Sequence, residues 1–127
     1  MKVLIQISCC LSLLVPQLAS AGSAQELLSG CRSVANADVS GEGIRFQQTY
    51  QTGICWGTFG AIQKVIVHVD VTRRPFYGVC APPNSTLSQL VAIFVSYAEK
   101  NPQRLHEDGF DIALESLRVA FPCKSRK

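Results

Sequence analysis

The sequence predicts an all-α fold, a small domain of four helices in orthogonal or antiparallel pairs, stapled by disulfides and preceded by an export leader. Three observations predict it. Apolar residues recur at intervals of three and four in four separate stretches. Capping residues and prolines punctuate those stretches where helices should begin and end. Six cysteines fall into a leading pair, Cys9 and Cys10, and four widely spaced positions, Cys31, Cys55, Cys80 and Cys123.

The leader comes first. Lys2 is its only charge, an apolar run covers Val3 to Val15, and Pro16 precedes the small-x-small pattern Ala19-Ser20-Ala21. This pattern marks a cleaved secretory signal over residues 1–21, too short and wrongly flanked for a retained anchor. Cutting after Ala21 is the expected event, with Ala24 as the alternative. No later stretch is long and apolar enough to span a bilayer, so no membrane anchor is expected after cleavage, and residues 22–127 form a single domain. Losing Lys2 takes the formal charge from +3 to +2. Basic residues cluster only at Arg73-Arg74 and in the tail Lys124, Arg126 and Lys127, without interleaved aromatics, so nucleic acid is not an expected partner.

Four cysteines in a small exported chain read as two disulfides. No pair has the two-to-four-residue spacing of a zinc site, so no metal and no cofactor are expected. Three pairings remain open. Cys31–Cys55 with Cys80–Cys123 is preferred because each bond then ties neighbouring segments. In the chain-entropy account each closure is worth roughly 3–4 kcal/mol.

The first helix is expected over Ser23 to Ala35, opened by the capping-box spacing Ser23…Glu26 and carrying Leu27, Cys31 and Val34 at helical intervals. "NADVSGEGIR", residues 36–45, reads as a polar loop. The second helix is expected from about Phe46 to Val67, with Tyr50, Ile54, Phe59, Ile62, Val65 and Ile66 as its apolar positions. Gly53, Gly57 and Ala61 are four apart and line one face, which reads as a surface for close helix packing. A loop or short strands are the alternative for this glycine-bearing stretch, and a strand over Val65 to Val71 stays open because "VIVHVDV" alternates. The third helix follows the lead-in Pro82-Pro83: Thr86 caps it with Gln89, Leu87, Leu90, Val91, Phe94 and Ala98 form its stripe, and it ends near Asn101 before Pro102. The fourth is capped by Asp108, presents Phe110, Ala113, Leu114, Leu117 and Phe121, and stops at Pro122.

Catalysis is not expected. The chain has two histidines, His68 and His106, and no Gly-x-Ser-x-Gly, His-Glu-x-x-His or phosphate-cradling glycine loop. Asp108 and Asp111 sit where a helix dipole already explains carboxylates.

The stretch from Cys80 to Cys123 resembles the Rap/Tai family of type VI secretion immunity proteins. The likeness rests on Cys80-x-Pro82, Thr86-x-x-Gln89-Leu90, Tyr97, Asn101-Pro102, Leu105-His106 and the closing Ala120-Phe121-Pro122-Cys123. The N-terminal half is similar more loosely, since Cys55-Trp56-Gly57-Thr58-Phe59 displaces the aromatic of the family's Cys-x-Gly-Tyr-like pattern. The resemblance implies a periplasmic, disulfide-bonded helical protein that binds and inhibits a peptidoglycan amidase, with a homodimer as a further expectation. It implies that a surface element enters the amidase's catalytic groove. The matching element here is the turn "KNPQRLHEDG", with Lys100, Arg104, His106, Glu107 and Asp108. Leu105 and His106 fit a structural role too, one tucked beneath the turn and the other packing or capping. A small periplasmic acid-stress chaperone and a secreted interaction domain with another partner are the alternative readings.

Overall fold

A computed structural model describes residues 22–40, 43–68 and 74–124, with backbone only for 38–40. Within them lie α1 (Ala24–Ala35), a two-stranded hairpin β1 (Asp38–Ser40) and β2 (Gly43–Arg45), α2 (Tyr50–Val65), α3 (Leu87–Lys100) and α4 (Gly109–Ala120). Single 3-10 turns cover Phe76–Gly78 and Pro102–Arg104. The domain is all-α, as the periodicity predicts. The polar loop after α1 differs from expectation: Asp38 pairs with Arg45 and Val39 with Ile44 in an antiparallel ladder, closed at Ser40 and Gly43.

Three helices start on a reciprocal capping box, in which the N-cap hydroxyl accepts from the N3 amide and the N3 side chain accepts from the N-cap amide. Ser23 with Glu26 opens α1, Thr86 with Gln89 opens α3, and Thr49 with Thr52 opens α2. The last of these moves the start of α2 from Phe46 to Tyr50, because Thr52 Oγ1 also donates to the Gln47 carbonyl (2.8 Å) and holds the chain before it extended. Asp108 caps α4 by accepting from the amides of Phe110 (2.9 Å) and Asp111 (3.1 Å). At its far end α2 stops at Val65 with Ile66 as its C-cap, so the open strand alternative fails at its first residue; residues 69–71 lie outside the described residues.

Helix α1 packs against α2, α3 and α4, and α3 packs against α1, α2 and α4, so these two helices form the middle of the domain. Leu28, Val34, Phe59, Ile62, Leu90, Phe94, Ile112 and Leu117 are fully enclosed there. Phe59 and Phe94 meet with ring centroids 5.5 Å apart and tilted planes, a geometry aromatic quadrupoles favour. Burying an apolar side chain of this size contributes about 1.5–3 kcal/mol, so this cluster is the dominant cohesive element. One disulfide, Cys31–Cys55, joins α1 to α2 inside the core. The other, Cys80–Cys123, ties the lead-in of α3 to the end of α4. Beside it the Cys80 amide donates to the Phe121 carbonyl (2.9 Å). These are the preferred pairings of the three.

The glycine stripe of α2 is where the packing expectation fails. Gly53, Gly57 and Ala61 all face solvent, and a Cβ built on Gly53 or Gly57 meets nothing within 4 Å. The buried face of α2 is Thr52, Cys55, Phe59 and Ile62, continued by Ile66. Tyr50 and Ile54, two of the apolar positions at helical spacing, are 79% and 46% exposed. Phe110 on α4 likewise lies outward. The close contact between α1 and α2 is made by Gly30 instead, where an added Cβ would collide with the Gln51 backbone carbonyl.

Candidate functional site

The element expected to meet a partner joins α3 to α4. It begins where Pro102 ends helical geometry. Asn101 closes α3 by donating its amide side chain to the Tyr97 carbonyl (2.8 Å). The 3-10 turn then forms through Arg104 N–H to the Asn101 carbonyl (3.0 Å), and Glu107 N–H returns to the Arg104 carbonyl (3.0 Å). Leu105 tucks against the core as a half-buried residue, while His106 points into water.

Arg104 organises the turn. Its Nε donates to Glu107 Oε1 (2.8 Å) and its Nη2 to Glu107 Oε2 (2.8 Å), a two-pronged pair. The same Nη2 reaches Glu115 Oε2 (3.1 Å) on α4, and Nη1 lies 2.9 Å from Glu115 Oε1. Nη1 also donates to the Tyr97 hydroxyl on α3 (2.9 Å), which in turn donates to Glu115 Oε1 (3.2 Å). One guanidinium thus fastens the turn to both helices of the hairpin. The fork geometry of arginine suits this task, and a lysine ammonium would not reproduce it. Hydrogen bonds and charge from Arg104 hold the Glu107 and Glu115 carboxyls below the ordinary glutamate range, and the guanidinium is held protonated even more firmly than usual.

A second set of contacts comes from the start of α1. The Ala24 amide donates to the Glu107 carbonyl (2.8 Å), Gln25 to the Leu105 carbonyl (2.9 Å), and Gly109 to the Gly22 carbonyl (3.0 Å). These amides of α1 lack intrahelical acceptors, as in any first helical turn, and here the turn's carbonyls satisfy them.

The five residues singled out in the sequence therefore divide. Arg104 pairs with both Glu107 and Glu115, and Asp108 caps α4. Lys100 and His106 are exposed beside Pro102 and Gln103. Glu115 and Tyr97, absent from that set, complete the network; Tyr97 was visible only as part of the family resemblance, and Glu115 reads in sequence as an ordinary helix-surface acid. Next to the turn a hollow of about 740 Å³ opens between α1, α2 and the start of α4, rimmed by Tyr50, Ile54, Phe110, Thr58, Ser29 and Glu26. Among the described residues no group of three or more His, Cys, Asp or Glu side chains is placed to hold a metal ion, and no helix is long and apolar enough to cross a membrane.

The described residues thus form a small disulfide-bonded helical domain that carries a braced charged turn with an exposed hollow beside it. The chain belongs to the family of Rap1a immunity proteins, whose model matches residues 23–123. No curated protein and no solved structure matches the chain. Membership implies an effector protein as partner, and immunity proteins are in general not catalysts. The disulfides accord with an exported protein.

Proposed function

We propose that the protein is a periplasmic immunity protein that inhibits a peptidoglycan amidase delivered by type VI secretion, and that the α3–α4 turn is the element presented to the amidase's catalytic groove. The observation that carries this reading is the fastening of that turn. Arg104 links it to Glu107, Glu115 and Tyr97, and three backbone hydrogen bonds link its far side to residues 22–25. A turn already held in one conformation loses little entropy on binding, which is where loop-mediated inhibitors usually lose affinity. With Arg104 and Glu107 engaged internally, Lys100, Gln103 and His106 are the side chains free to meet the partner.

The test is inhibition of purified type VI amidases acting on peptidoglycan. The wild-type protein should abolish hydrolysis near equimolar ratio. A Lys100→Glu, His106→Glu double variant should lose that inhibition with an unchanged melting temperature. Full inhibition by the double variant would remove the turn from the interface, and no inhibition by the wild type would remove the amidase. We propose further that the homodimer expected from the resemblance uses the outer face of α2, where Gly53, Gly57 and Ala61 are exposed. Sedimentation of wild type against Gly57→Arg tests it: a dimer that Gly57→Arg leaves intact does not use that face.

A further inference from the structure

The sequence favours leader cleavage after Ala21, with Ala24 as the alternative. We propose that the cut falls between Ala21 and Gly22, and that the terminus it creates, Gly22 to Ala24, is a clasp that sets the α3–α4 turn. The reading of that turn as the partner-binding element is the one on which the functional half of this inference rests.

Residues 22–25, the extended lead-in and the first turn of α1, run along residues 105–109. Ser23 and Asp108 face each other as an antiparallel bridge. Gly22 supplies a carbonyl to the Gly109 amide, and Ala24 and Gln25 supply amides to the carbonyls of Glu107 and Leu105. The fit is close enough to require glycine at the facing position. A Cβ on Gly109 would stand 2.8 Å from the Gly22 carbonyl oxygen and 3.1 Å from that of Ser23, both backbone atoms that cannot swing aside. Ser23 also caps α1, through Glu26 N–H to Ser23 Oγ (3.3 Å) and Ser23 N–H to Glu26 Oε2 (3.2 Å), and Ala24 is fully enclosed.

A cut after Ala24 would delete two of the three cross-segment hydrogen bonds, the whole capping box and a core methyl. A cut after Ala21 deletes none of them. Hydrolysis of the Ala21–Gly22 amide by a leader peptidase consumes one water and leaves a carboxylate on Ala21 and an ammonium on Gly22. That ammonium stays solvated, because Gly22 is exposed. It also gains an acidic neighbour: a Cβ on Gly22 would come within 2.7 Å of Glu26 Oε2, so the carboxylate lies beside the new terminus. Processing therefore trims the chain to the first residue the turn needs.

The intact mass of the non-reduced protein recovered from periplasm decides the first half. A product of residues 22–127 with two disulfides is expected, and one beginning at Gln25 overturns the proposal. Amide hydrogen exchange on the same wild-type product decides the second. The amides of Ala24, Gln25 and Gly109 should exchange at least tenfold slower than in an unstructured peptide, and free exchange at all three overturns the clasp. In Gly109→Ala, protection of Ala24 and Gln25 should fall at least tenfold while that of Phe59 and Phe94 persists. If this variant does not accumulate, the wild-type mass and exchange still decide. A confirmed clasp in a protein whose Gly109→Ala variant inhibits the amidase undiminished would leave the clasp standing and remove the turn from the interface.

Discussion

At the scale of single residues, Arg104 makes the site sensitive to acid in a defined direction. Its hydrogen bonds and charge hold the carboxyls of Glu107 and Glu115 below their ordinary range, with Tyr97 adding a further hydrogen bond at Glu115. A carboxyl whose folded pKa is depressed contributes stability that is complete above its unfolded pKa, about 4.3 for glutamate. That contribution fades as pH falls through the lower folded value. A Glu115→Gln variant isolates one share of it. At neutral pH the variant should melt below wild type, because a charge-assisted acceptor has become a neutral one. As pH falls from about 5 down through the depressed folded value of Glu115, the two melting curves should converge, since the wild-type carboxyl becomes neutral too. A gap that stays constant with pH would show that Glu115 acts by shape alone. The rest of the surface gives less: the exposed ion pair Arg32–Glu99 (2.9 Å) between α1 and α3 is of a kind worth about 0.2–1 kcal/mol.

At the scale of elements, α2 shows what periodicity can and cannot decide. Apolar and small residues recur at helical spacing on both of its faces, so the spacing announces a helix without saying which side is inward. Cysteine chemistry holds the missing information. Once Cys55 is joined to Cys31, the residues in register with it, Phe59, Ile62 and Ile66, must be the buried ones, and Gly53, Gly57 and Ala61 fall outside. The hairpin of β1 and β2 was hidden for another reason. Its strands have three residues each, too short for a period-two signal. Two substitutions turn the α2 geometry into opposite signs. Gly57→Ala adds a methyl where nothing stands within 4 Å, and should stabilise the domain by about 0.5–1 kcal/mol through the lower helical entropy cost of alanine. Gly30→Ala sits in an equally helical position but drives its methyl into the Gln51 carbonyl, and should destabilise by more than about 1 kcal/mol. Urea unfolding of both variants checks the pair. The start of α3 offers a cleaner test of sequence logic, because Thr86 and Gln89 form the box their spacing announces. Thr86→Ala should cost about 1 kcal/mol in the same assay.

At the scale of the whole molecule, the two disulfides do different work, and their relative weight is a test of what holds the domain together. In the candidate site, the turn's ends are legible in the sequence through Asn101-Pro102 and Asp108, but the roles inside it depend on Tyr97 and Glu115. Those two reach Arg104 only after α3 and α4 have packed. The crosslinks follow the same pattern: their presence is legible from composition and their energetics from packing. By loop length alone the outer bond should matter more. Cys80–Cys123 spans a sequence separation of 43 and Cys31–Cys55 one of 24. Chain entropy then gives about 4 kcal/mol for the longer loop and about 3.4 kcal/mol for the shorter. Burial reverses the order. Cys31 and Cys55 are completely enclosed, whereas Cys80 is exposed and Cys123 half-buried. Replacing the inner pair with alanine removes two packed sulfurs from the core as well as the crosslink, at about 1 kcal/mol or more for each. Cys31→Ala with Cys55→Ala should therefore cost about 5 kcal/mol, more than Cys80→Ala with Cys123→Ala despite the shorter loop, and against a typical total of about 5–15 kcal/mol it should leave the domain close to unfolding. The outer pair lies at the end of the α3–α4 hairpin remote from the turn. Its removal should lower the urea midpoint yet keep the Arg104 network, and with it the inhibition proposed above. Should the outer pair prove the costlier, entropy of the unfolded chain governs this fold and the core around Cys31 and Cys55 closes over the missing sulfurs.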